Sequence, residues 1–256
     1  MTTALIDGDV FAYRIAAAHE TAIVLPDGRA VLDADLGEAK EALDDLLTSF
    51  RDRLAAKKVL VALSVPRCFR YDVLPSYKGN RKTVRKPILL SGLKQHLTDQ
   101  WGAKTKPKLE ADDILGIWAT SPQLKGKKVV VTIDKDLKQI PGWNWNPFAD
   151  ETPVLIDEHR ADYWHLRQAL MGDVTDGYKG CPGIGPKKTD AILETMPRGP
   201  VDPEMTWVEW AWSLVVSAYQ SKGLTEADAL QQARVARICR ATDYDFDKQE
   251  AILWTP

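Results

Sequence analysis

Two short runs of consecutive apolar residues stand out in the first half of the chain: "KKVLVALS" from Lys57 and "KKVVVTID" from Lys127 to Asp134. With "TALID" (Thr3–Asp7), each is too short for a buried helix and rich in β-branched residues, so each predicts a strand covered on both faces. "VFAYRIAAA" follows the first strand as a helix, with Asp9 at the N-cap position. "TAIVLPDGRAVLD" alternates apolar and polar residues around Pro26-Asp27-Gly28 and predicts a hairpin. Helical periodicity runs from Asp35 to Leu54, and Trp143 and Trp145 alternate with asparagines as a half-buried strand does. Strands alternating with helices predict an α/β fold around a parallel sheet.

Past "PVLIDEHR" the period becomes helical, through "ADYWHLRQALMGD", "KKTDAILETM", "EMTWVEWAWSLVVSAYQSKG" and "EADALQQARVARICRATD". A boundary near residue 158 divides an α/β core, 1–157, from a helical region, 158–256. Trp207, Trp210 and Trp212 fit packing positions on a helix better than a base-stacking platform.

Composition changes this picture little: 45% hydrophobic and 27% charged residues suit a soluble globular chain. No apolar run has the ~18 residues a spanning helix needs, and the first residues lack a secretory signal, so no membrane partner is expected. Cys68, Cys181 and Cys239 form neither a disulfide framework nor a metal-spaced set, which suits a reducing cytoplasm. The charge distribution is more informative. Net charge is −2, yet the segment 77–108 holds nine Lys/Arg against Asp99 alone and carries +8. A local basic stretch in an acidic chain fits either a solvated helix face or a polyanion partner.

Four acidic groups recur, three of them at the ends of predicted strands or at the start of the helix packed beside them. They are Asp7; Glu110, Asp112 and Asp113 in "LEADDILGIWA"; Asp134 and Asp136 in "TIDKDLKQI"; and Asp173 and Asp176 in "GDVTDG". Ligands of open α/β sheets gather beyond the carboxyl ends of the strands, so several of these acids are expected to converge. Carboxylates sharing one cleft raise each other's pKa unless cations neutralise them, and hard oxygen donors suit Mg²⁺ or Mn²⁺. Taken singly, each acid also has a structural role open to it, as a helix cap, a first-turn acid or a turn residue. His19, His96, His159 and His165 lack ligand spacing, which argues against zinc. "GCPGIGPKKT" adds a different signal, because Gly183 and Gly185 let backbone N–H groups approach a phosphate and Lys187, Lys188 and Thr189 follow.

"LIDGD", "YKGNRK" (Tyr77–Lys82), "EADD", "DKD" and "GDVTDGYKGCPGIG", in this order, resemble the 5′-nuclease or flap endonuclease family, and within it the short phage-encoded 5′→3′ exonucleases. The resemblance runs from Ala4 to Pro256. It implies a parallel-sheet, PIN-like nuclease core with a helical arch or gateway at about 77–108. It also implies a C-terminal helical region with a helix–hairpin–helix (extended to a helix–three-turn–helix) at about 170–195. The implied activity is divalent-metal-dependent hydrolysis of DNA at 5′ ends, using two Mg²⁺ or Mn²⁺ ions.

By position, the resemblance assigns Asp7, Glu110, Asp112, Asp113 and Asp134 to metal, and Asp136, Asp173 and Asp176 to a second metal group. Lys78 and Arg81 would contact the scissile phosphate as catalytic residues, and Tyr77 would stack on an unpaired terminal base. Lys82 and the hairpin residues Gly183, Gly185, Lys187, Lys188 and Thr189 would bind DNA, with K⁺ on the hairpin carbonyls. RNA of RNA–DNA hybrids is a further expected partner, and the expected state is a monomer in the cytoplasm, that of the host if the chain is phage-encoded. Many relatives carry another metal-binding aspartate after the second core strand, where this chain has Ser64. Two rival readings are a PIN-type ribonuclease, and a DNA-binding module with a degenerate metal site.

Overall fold

The structure, a computed structural model, describes residues 1–81, 83–195 and 204–256. Its centre is β1 (Thr2–Asp7), an uninterrupted apolar strand that runs directly into α1 (Gly8–Ala18). The hairpin β2 (Thr21–Val24) and β3 (Ala30–Asp33) projects with both strands exposed, and α2 (Leu36–Arg53) follows behind the Asp35 cap. β4 (Lys58–Ala62), a short α3 (Arg70–Val73), α4 (Leu90–Trp101), α5 (Ala111–Thr120) and β5 (Lys127–Val131) come next. β6 (Gly142–Trp145) and β7 (Val154–Ile156) complete a five-stranded sheet in the order β4-β1-β5-β6-β7. All its pairings are parallel except β6 with β7.

Side chains alternate across β1, as the two-residue period of a strand requires. Ala4 and Ile6 face a core shared with α1, α2 and α4, while Leu5 faces a second core under α5. The sheet is therefore covered on both sides, and its polar residues collect at the carboxyl ends of the strands. Gly8 lets α1 begin against β4, because a Cβ there would lie 2.7 Å from the Ala62 carbonyl oxygen.

The helical region consists of α6 (Glu158–Met171), α7 (Pro186–Leu193), α8 (Trp207–Gln220) and α9 (Glu226–Ala236), around a core that includes Trp212. Trp207 and Trp210 pack against that core, as their periodicity predicts. α6 begins at Glu158, behind the Asp157 cap. Beyond α9, however, Ile238, Cys239 and Tyr244 return to the core beneath α5, and the chain ends in the small hairpin β8 (Tyr244–Asp245) and β9 (Glu250–Ala251). Residues on the C-terminal side of position 158 thus contribute to the core beneath α5 as well as to their own. All three cysteines are buried and unpaired.

Two sequence expectations change. Asp7, not Asp9, caps α1, accepting from Val10 N at 3.2 Å, because the strand ends directly at the helix. The basic segment 77–108 is not one arch: α4 lies within it and buries Leu93 and Leu97 in the main core. Sequence charge hid the apolar stripe of that helix. Asn80, Arg81 and residues 83–86 are exposed, while Leu89 already belongs to the main core; Lys82 lies outside the described residues.

Candidate active site

Asp7 stands at the end of β1, only 3% exposed, and accepts from Thr132 Oγ1 at 2.9 Å. Burial, then the charges of Asp9 and Asp134, push its carboxyl up to about 7. Asp112 is raised well above the usual carboxylate range by burial and by the charges of Asp7, Asp134 and Glu110. Among the described residues its side chain accepts no hydrogen bond. Asp134 turns the chain after β5, accepting from Asp136 N at 2.9 Å. Asp136 is pushed up to about 7 by burial, Asp134 and Asp173. These mutual influences link Asp7, Asp112, Asp134, Asp136 and Asp173 electrostatically, although Asp112 lies in the first turn of α5 and Asp173 in the loop after α6.

The loop after α6 closes on itself. Asp173 and Tyr178 exchange backbone hydrogen bonds at 2.8 and 3.1 Å, and Asp173 accepts from Thr175 N and Asp176 N. Gly172 and Gly180 make this possible: both have positive φ, and a Cβ on Gly180 would lie 2.3 Å from Gly172 N. The "YKGNR" segment docks on the loop. Lys78 N donates to Asp176 O at 2.8 Å, Asn80 Nδ2 to Val174 O at 2.8 Å and Arg81 Nε to Thr175 O at 2.9 Å. These bonds hold Lys78 in the left-handed backbone region, φ 51°, at a cost of about 1 kcal/mol.

Lys78 Nζ donates to Glu110 Oε1 at 2.5 Å and lies 3.6 Å from Asp176 Oδ2, and Arg81 pairs with Asp176. Burial raises the Glu110 carboxyl, but Arg70 and Lys78 outweigh it and hold the group near 2. Burial likewise lowers Lys78, and the Glu110 and Asp176 charges more than restore it, leaving its pKa raised. Lys94 pairs with Asp9 at 2.6 Å and Lys135 lies 4.0 Å from Asp136, so cations of the chain sit around the acid group.

Three expected roles do not survive. Asp113 is fully buried and turned away from its neighbour Asp112. It takes both Arg70 terminal nitrogens at 2.7 and 2.8 Å, Cys239 N at 3.0 Å and Glu110 N at 3.1 Å, leaving no free face for a metal. Helical geometry is the reason, since consecutive positions on α5 point in different directions. Tyr77 cannot stack on a base: its ring is 2% exposed and lies edge-on to Tyr71 at 5.5 Å. Its hydroxyl donates toward Glu110 and Asp176, at 2.9 and 2.8 Å. Thr189 is buried, with its hydroxyl unpartnered among the described residues, so it offers nothing to a phosphate at the surface.

The rest of the hairpin is open. Gly183 (φ 73°) and Gly185 have free space where a Cβ would stand, and Lys187 and Lys188 are exposed at the start of α7. Lys188 Nζ donates to the Gly183 carbonyl at 3.0 Å.

The sequence reading missed Asp9, Arg70, Lys94 and Thr132. Asp9 was legible as the second acid of "LIDGD", but its assignment as a cap concealed it. Arg70 and Lys94 carry no local signal, because what they touch lies some forty and more than eighty residues away in the chain.

A family model described as "5′-3′ exonuclease, N-terminal resolvase-like domain" matches residues 2–159. The chain belongs to this family. The chain is 32% identical over 250 residues to the exonuclease of Escherichia phage T7, covering 87% of this chain and 83% of that protein. It is 31% identical over 149 residues to the flap endonuclease Xni of Vibrio vulnificus, covering 51% of this chain and 55% of that protein. A zinc-bound phage T5 5′-exonuclease has the same fold, with TM-score 0.59 and 16% identity over 92% of this chain and 93% of that one.

The site's chemistry fits divalent cations in charge and in donor type. Its donors are hard carboxylate oxygens, and burial together with mutual repulsion lifts Asp7, Asp112 and Asp136. Among the described residues, no three such side chains already close around a cation-sized space. Also among the described residues, no helix is long and apolar enough to cross a membrane.

Proposed function

We propose that the chain is a divalent-metal-dependent 5′→3′ exonuclease and flap endonuclease that hydrolyses DNA phosphodiesters at 5′ ends. The observation that carries this reading is the convergence of Asp7, Asp112, Asp134, Asp136 and Asp173 at the carboxyl edge of the sheet, flanked by Lys78 and Arg81. Asp7, Asp112, Asp134, Asp136 and Asp173, with Glu110 and Asp176, would hold two Mg²⁺ or Mn²⁺ ions. When bound, such ions supply Lewis-acid stabilisation and lower the pKa of water at the scissile phosphodiester. The zinc bound to the T5 exonuclease supports metal dependence in this fold without choosing the metal.

Lys78 and Arg81 would exchange their carboxylate partners for the scissile phosphate, Arg81 through a planar fork suited to phosphate oxygens. Lys187 and Lys188, with the open backbone at Gly183 and Gly185, would grip the duplex backbone without reading sequence. Because Asp173 and Asp176 share a segment with that hairpin, the distance from grip to cut is built into one stretch of chain. A K⁺ ion on the hairpin carbonyls would share Gly183 O with Lys188. The chain would act as a monomer and accept RNA strands of RNA–DNA hybrids as well as DNA.

The test is cleavage of a labelled duplex carrying a 5′ flap or a recessed end, in Mg²⁺, with DNA and RNA versions compared. Products with 5′ phosphates from the wild type, and none from Asp112→Asn, are expected. Metal-independent cleavage, or cleavage of single-stranded RNA alone, would refute the reading. Lys78→Ala should lower the single-turnover rate more than DNA affinity; an unchanged rate removes Lys78 from catalysis.

A further inference from the structure

Asp9 lies in the first turn of α1, but its side chain does not serve that helix. It reaches across to the end of β4, where Oδ2 accepts from Ser64 N at 3.0 Å. β4 pairs directly with β1 in parallel register, Asp7 opposite Ala62, so the Asp9 carboxylate is fixed on the same sheet edge as Asp7. The Ser64 hydroxyl is committed elsewhere, accepting from Ala111 N at 2.9 Å and so anchoring the helix start that carries Glu110 and Asp112. The end of β4 thus holds a carboxylate that β4 itself does not encode. The other Asp9 oxygen meets Lys94 Nζ of α4 at 2.6 Å. An acid needed only for the α1 dipole would not require a backbone donor from a different strand and a lysine from a different helix.

We propose that Asp9 is a further carboxylate ligand of the divalent cation held at Asp7, and that Lys94 is the ammonium that competes with this cation for Asp9. The inference rests on the metal-dependent reading above. The Ser64 N–H pre-orients Asp9, so the ligand needs no rearrangement of α1. Lys94, on a flexible stem and partly exposed, can swing toward solvent when a doubly charged ion takes its place.

The test uses the whole chain without DNA, and Mn²⁺ as probe, read by isothermal titration and by the electron paramagnetic resonance of free Mn²⁺. Asp9→Asn is expected to weaken one Mn²⁺ site by at least the ~10-fold that follows loss of even an outer partner of a metal ligand. Lys94→Met should tighten that site, and the double variant should lose the gain. Wild-type affinity and stoichiometry in Asp9→Asn, alongside a lost site in Asp112→Asn, would overturn the Asp9 proposal and leave the nuclease reading standing. Absence of Mn²⁺ binding by the wild type would overturn both. Should Asp9→Asn melt markedly below the wild type, Lys94→Met decides alone: tighter Mn²⁺ binding supports the assignment, and unchanged binding overturns it.

Discussion

Asp112 and Asp113 are adjacent in sequence and both look like site acids, yet the structure gives their amide variants opposite effects on stability. Asp113 is fully buried in a fork-to-fork pair with Arg70. Arg70 also donates to Val235 O at 2.9 Å and Arg237 O at 2.6 Å, tying the C-terminal segment to α5. Asp113→Asn leaves a buried guanidinium with the Glu110 carboxylate as its remaining partner charge. Removing one member of a buried pair costs about 3–5 kcal/mol. The amide oxygen can still accept one N–H, so the low end applies, about 3 kcal/mol, a large share of a total stability of about 5–15 kcal/mol. For a chain of this size that is a fall of roughly 6–12 °C in melting temperature.

Asp112 is the reverse case. Its carboxyl is raised by burial and by three neighbouring acids, so its charge is repelled in the folded protein. Asp112→Asn removes that repulsion and should hold or raise the melting temperature in EDTA, while abolishing the stabilisation that Mg²⁺ gives the wild type. Differential scanning calorimetry of both variants, with EDTA and then with Mg²⁺, reads all four quantities. An Asp113→Asn protein that melts like the wild type but no longer gains from Mg²⁺ would refute the inward assignment and return Asp113 to the metal site.

The raised carboxyls set a pH dependence with a definite sign. Asp7 and Asp136 move from 3.8 to about 7 on folding, so each holds its proton more tightly when folded. Their stabilisation is complete below the unfolded value and is lost as pH rises through about 7. Metal-free protein should therefore lose stability between about pH 4 and about pH 7, less so in Asp7→Asn and Asp136→Asn, while Mg²⁺ affinity rises over the same window. Thermal melts and Mg²⁺ titrations across that range check it; parallel pH profiles for the variants and the wild type would contradict it. At the hairpin, replacing Lys187 and Lys188 together by alanine should weaken DNA binding and reduce the slope of log affinity against log salt by about 2, near 0.9 per lost phosphate contact. The cleavage rate at saturating DNA should not change, and an unaltered salt slope would place the duplex elsewhere.

The strands, the order of the acids and the hairpin were legible because each is a local pattern: an apolar run, an acid at its end, a glycine turn before lysines. What escaped was decided by partners far away in the chain. The motif gives Asp112 and Asp113 alike, and only the rotation of α5 against Arg70 separates the repelled carboxyl from the paired one. Tyr77 reads as an exposed aromatic beside basic residues, yet it is the buried floor under Glu110 and Asp176, packed with Tyr178 and Val235. Charge counting made 77–108 one basic segment and concealed α4, whose Leu93 and Leu97 belong to the core while Lys94 between them faces Asp9. That last juxtaposition has a physical consequence. Lys78 pairs with Glu110, Arg81 with Asp176 and Lys94 with Asp9, so the chain's own cations offset part of the like charge that raises carboxyl pKa values here. Divalent ions held by Glu110 and Asp176 would compete with Lys78 and Arg81 for these carboxylates, and side chains freed in this way would be available to a phosphate.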